Sequence, residues 1–154
     1  MAMTHAHPSR LPATVLTIAG LIPFFAGIAG MALLEPPTNS TAELWLRAYC
    51  VSILGFLGGI RWGGEVARDQ ARWSVLVPAV LLALLGWAIM PYVTIVLFEP
   101  QPAWWLAYAG LFGAAWLWDV MTSDLPVWFK PLRTIASVGA VATCVAAWVV
   151  TSFL

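Results

Sequence analysis

The chain has 154 residues, 62% of them hydrophobic and 9% charged, with a mean hydropathy of +0.88 and a formal net charge of zero. Soluble domains are roughly 45–50% apolar and about 25% charged, so this composition excludes a water-soluble globular protein and indicates an integral membrane one. Zero net charge gives no case for nucleic-acid binding, and Cys50 and Cys144, both in apolar runs, offer neither a disulfide framework nor metal spacing and read as reduced packing residues.

A spanning helix needs about 20 apolar residues, and five segments in a single domain meet or approach that length, which predicts an all-α bundle of five transmembrane helices. The first runs from 11 to 34, longer than the core of a cleavable signal peptide. Pro23 within it predicts a kink between Ala19 and Pro23, because proline removes a backbone donor and crowds the carbonyl four residues back. "EPPTNSTAE", 35 to 43, reads as a loop, with Ser40 or Thr41 placed to cap the next helix ahead of Glu43. The second segment covers 44–66, the third 73–98 with Pro91 as its kink or early end, the fourth 103–121 and the fifth 132–153.

Arg10, Arg61, Arg68, Arg72, Lys130 and Arg133 fall on one side of this arrangement, and only Arg47 on the other. Basic residues accumulate in cytoplasmic loops, so the amino terminus is expected in the cytoplasm. The ten tryptophans then distribute mostly to the two interfaces, where indole rings are enriched. Trp62, Trp118 and Trp128 are expected to anchor the inner one, Trp105 belongs to the outer one, and only Trp87 falls deep.

The second segment carries two distinct stripes. Gly55, Gly59 and Gly63 repeat at every fourth residue, the spacing that lets another helix approach closely. They are the expected packing face, toward another membrane protein or a second copy. A neighbouring polar stripe holds Arg47, Arg61 and Glu65, with Arg61 and Glu65 spaced to pair along the helix. Asp119, at the end of the fourth segment, and Arg133, opening the fifth, lie at the same depth as Arg61. Arg61, Glu65, Asp119 and Arg133 are therefore the candidate site, either a structural charge network or a ligand or ion pocket facing the cytoplasm.

Other chemistry finds little support. His5 and His7 form an H-x-H in the amino-terminal tail but lack the further ligands of a zinc site. Phosphate loops, H-E-x-x-H, G-x-S-x-G and a nucleophilic triad are not found. The expectation is a protein without catalytic residues or a metal, its cofactor unknown. It is read as an accessory or assembly subunit of a larger membrane complex, or alternatively as a binder of a small amphipathic ligand such as a porphyrin, quinone or lipid.

"LTIAGLIPFFAG", "YCVSILGFLGGIRWG", Asp119 and "LPVWFKPLRTIAS" together resemble the family of unknown function that includes transmembrane protein 69, found in bacteria and mitochondria. The most specific pieces are Gly58, Gly59, Trp62 and Gly63, and Pro126, Trp128, Leu132 and Arg133. The resemblance implies a membrane protein and brings no activity, cofactor or site residues. An Arg-rich, acid-poor leader is not seen, so the expected location is a bacterial inner membrane.

Overall fold

The computed structural model describes residues 10–90, 102–122 and 125–153, and among these it contains helices and no strand. The helices are α1 (Leu11–Ala19), α2 (Ile22–Leu33), α3 (Thr38–Val66), α4 (Trp73–Ala88), α5 (Trp104–Met121) and α6 (Lys130–Phe153), the last preceded by a 3-10 turn over Val127–Phe129. Three stretches, Leu11–Leu33, Thr38–Val66 and Val127–Phe153, are long and apolar enough to cross a membrane, and α4 is a shorter apolar helix. His5, His7 and the region around Pro91 lie outside the described residues.

α1 and α2 form one rod broken at Gly20–Leu21, inside the interval where Pro23 predicts a kink. Leu21 N donates to Ile18 O at 3.0 Å, a tightened turn, and the phenol of Tyr49 on α3 donates to Gly20 O at 2.7 Å. A broken helix in hydrocarbon leaves polar backbone without water, and a neighbouring side chain is what makes it tolerable.

α3 starts earlier than the polar loop reading implies. Pro36 and Pro37 stop just before Thr38, where a missing donor costs nothing, and 38–43 then continues as helix. Neither Ser40 nor Thr41 caps it: Asn39 Oδ1 accepts from Ser40 N at 2.7 Å, and the Thr41 hydroxyl donates back to Pro37 O at 3.4 Å. Glu43 is thereby placed one turn before Arg47 and pairs with it at 2.6 Å.

α3 packs chiefly on α4 and α2, and α6 on α5, with further contact to α2 and α1. The core between them holds Phe24, Leu46, Leu54, Tyr108, Phe112 and Ala140. Phe24 meets the rings of Tyr49 and Phe112 edge-on at 5.0 and 5.7 Å. Cys50 and Cys144 are free and buried in this core.

Within the chain, α3 makes its closest glycine contact through Gly58. A Cβ on Gly58 would lie 2.1 Å from Ala79 O of α4, so this glycine is the point of backbone-to-backbone approach. Gly55 stands in ordinary contact, 3.9 Å from the Ala83 methyl, while Gly59 and Gly63 meet nothing within 4 Å. The reason is helical phase: Leu54, Gly58, Arg61 and Glu65 set the buried stripe, and one residue further on lies about 100° round the helix. Gly59 and Gly63 therefore face outward, as do Trp45, Trp73 and Trp87.

Candidate functional site

Asp119 on the last turn of α5 is held between two guanidiniums from different helices. Arg61 of α3 donates to Asp119 Oδ1 through Nε at 2.8 Å and lies 2.7 Å from it through Nη2, while Arg133 of α6 donates through Nε to Oδ2. All three residues are buried. Charges withdrawn from water are tolerated only when paired and hydrogen-bonded, and one carboxylate here ties three helices together. The structure thus brings together Arg61, Asp119 and Arg133, as their common depth suggests.

Thr122, which the sequence reading did not single out, and Trp118 complete the Arg61 environment. Thr122 Oγ1 accepts from Arg61 Nη2 at 2.5 Å and donates to Trp118 O at 2.8 Å. The Trp118 ring lies under the Arg61 guanidinium, 4.7 Å from carbon to centroid. Trp118 is therefore half-buried beneath a cation instead of serving simply as an interface anchor, a placement that favours the charge electrostatically. Trp62 is exposed as an anchor would be, and Trp128 meets Phe129 edge-on with Arg10 over its ring.

Glu65 joins a different group. Its carboxylate accepts from Arg72 N, Nε and Nη2 at 2.8, 2.7 and 2.8 Å and lies 3.2 Å from Arg68 Nε. The expected pairing with Arg61 does not form, because Arg61 reaches across to α5 while the α3–α4 turn carries Arg72 back over the helix end. Glu65 is thus a clasp for the turn, outside the Asp119 node.

A second stack of arginine on tryptophan lies at the opposite end of α3. Arg47, bonded to Glu43, has its guanidinium 4.4 Å from the ring centre of Trp105, and that tryptophan is 0% exposed. Trp105 is therefore a core residue, not the outer-interface anchor that its position suggests. Among the described residues no group of three or more His, Cys, Asp or Glu is placed to hold a metal ion.

The long apolar helices and the buried ion pairs between their ends define an all-helical membrane protein. Within that class the chain belongs to the family described as "protein of unknown function (DUF3429)", whose family model matches residues 9–149. It is similar to transmembrane protein 69 of Xenopus tropicalis, 34% identical over 142 residues, which cover 87% of this chain and 52% of that protein. The chain thus spans about half the length of that relative. No solved structure matches the chain.

Proposed function

We propose that this protein is a non-catalytic, multi-pass component of a bacterial inner membrane, with its amino terminus in the cytoplasm, and that it serves as an accessory or assembly subunit of a larger membrane complex. The observation that carries this reading is the open pair Gly59 and Gly63, where added Cβ atoms meet nothing within 4 Å. About 100° round the same helix, Gly58 makes a close backbone approach to α4, and small residues at four-residue spacing are how helices associate in lipid. Beside the open glycines runs a shallow groove of about 270 Å³ lined by Trp62, Trp73, Leu76, Val77, Val80 and Leu81. The occupant is a transmembrane helix of another chain.

A photo-crosslinking side chain at position 59 or 63, activated in native membranes, is expected to give discrete adducts with one other membrane chain. The same side chain at Val138, on the outer face of α6, is expected to give none. Lipid adducts alone at positions 59 and 63 overturn the proposal. Orientation is supported by Arg68, Arg72 and Lys130 gathering at one side of the bilayer. Reporter fusions after Arg72 that are active only in the periplasm overturn it.

A further inference from the structure

Beside the Asp119 node, a cavity of about 130 Å³ lies where the break between α1 and α2 meets α3, α5 and α6. Its walls are almost wholly apolar, formed by residues such as Phe24, Leu57 and Phe112, but Arg133 and Ser137, one turn apart on α6, also line it. Both are buried, at 6% and 3% exposure, and each holds a polar atom without a hydrogen-bond partner: Arg133 Nη2 and Ser137 Oγ. Buried donors left unmade are costly, and two of them on one wall of one cavity mark the place for an acceptor. Asp119 occupies Nε of Arg133 and leaves this second nitrogen available.

The surroundings specify what would supply the acceptor. Leu16 and Phe56, 71% and 64% exposed, also line the cavity and carry it to the lipid-facing surface of α1 and α3. The route in is therefore sideways from the bilayer. Arg133 lies within the first turn of α6, near the membrane edge where the polar ends of amphiphiles reside. Size narrows the class further: pockets for drug-sized ligands run to about 300–1,000 Å³, and an apolar cavity of about 150 Å³ accepts a single benzene. A porphyrin is too large, whereas a small polar head with the first few methylenes of a single chain fits.

We propose that this cavity binds a single-chain amphiphile with a carboxylate head, of the free fatty acid class, its head bonded to Arg133 and Ser137 and its chain leaving between α1 and α3. A guanidinium favours an ionised acceptor over a neutral carbonyl, which separates the carboxylate from a quinone. The site lies apart from the groove between α3 and α4, so it stands or falls independently of the partner helix.

The test uses the full chain in lipid nanodiscs, with the fluorescent fatty acid cis-parinaric acid as probe and oleic acid as competitor. Saturable binding displaced by oleic acid is expected, with methyl oleate weaker by roughly tenfold or more through loss of the charged hydrogen bonds. A short-chain ubiquinone analogue is expected to compete poorly. Ser137→Leu, which fills the cavity without touching a charge, should abolish displaceable binding, and Ser137→Ala should weaken it several-fold; retained helicity and elution profile establish that each has folded. Non-saturable partition alone, equal affinity for acid and methyl ester, equal competition by the quinone, or unchanged binding in a folded Ser137→Leu variant each overturns the proposal.

Discussion

Arg61 and Asp119 face each other across the α3–α5 junction with Nε 2.8 Å from Oδ1, and the second carboxylate oxygen is taken by Arg133. Asp119 is thus the hub, and neutralising it strands buried cations. Asp119→Asn is expected to cost about 3–5 kcal/mol, the range for breaking a buried pair from one side. Replacing all three by apolar residues of similar volume, Arg61→Met, Asp119→Leu and Arg133→Met together, should cost less than the single change, because no charge is left buried. Thermal unfolding in a mild detergent compares the two; a triple variant less stable than Asp119→Asn contradicts this account of the node.

Gly58 and Gly59 are adjacent in sequence and opposite in consequence. An added methyl at Gly58 meets the Ala79 carbonyl at 2.1 Å, and backbone cannot swing aside, so Gly58→Ala must part α3 from α4. Overpacking of this kind costs about 1–3 kcal/mol or more. Gly59→Ala meets nothing and, by removing a flexible residue from a helix interior, should leave stability unchanged or raise it by up to about 1 kcal/mol. Equal melting shifts for the two variants contradict the assigned contact.

The bond from Tyr49 to Gly20 O compensates a helix broken ahead of Pro23. Tyr49→Phe removes only that hydroxyl, and polar contacts between membrane helices are worth about 0.6 kcal/mol on average and about 1.7 at most. The loss should shrink in a Pro23→Ala background, where the restored donor lets the rod straighten. A double-mutant cycle measures this coupling, and strict additivity of the two changes argues against it.

Glu65 holds the α3–α4 turn through Arg72 and Arg68, whose side chains are themselves about half exposed. Glu65→Gln weakens these charge-assisted bonds and should loosen the turn without disturbing the node at Asp119. Trypsin cleavage after Arg68 and Arg72 in inverted vesicles is expected to quicken several-fold, while the overall melting temperature falls little. Unchanged cleavage rates count against the clasp.

The membrane class, the kink ahead of Pro23 and the meeting of Arg61, Asp119 and Arg133 were legible in the sequence, because composition, a missing donor and helical depth are properties of single segments. Partner choice was not. Glu65 stood correctly spaced for Arg61, and only the path of the turn decided for Arg72. The glycine ridge reveals a smooth surface but not its phase relative to α4, so the spacing alone does not show that Gly58 makes the contact inside the chain and Gly59 and Gly63 stay open. Depth alone places Trp105 and Trp118 at the interfaces, and depth says nothing about whether a ring turns inward under an arginine. Ser137 left one usable signal, its spacing of one turn from Arg133.

Arg47 stacks on Trp105 and Arg61 on Trp118, so two rungs join α3 to α5 about 21 Å apart along α3. Equivalent ends meet, which means that the two helices run in the same direction although they touch over only a small area. Two fixings at that separation act as a vernier. A slide of α3 by one turn, about 5.4 Å, releases both at once, and a tilt that keeps one must lose the other. Intermediate positions have nothing to hold them, so α3 has a single register against α5.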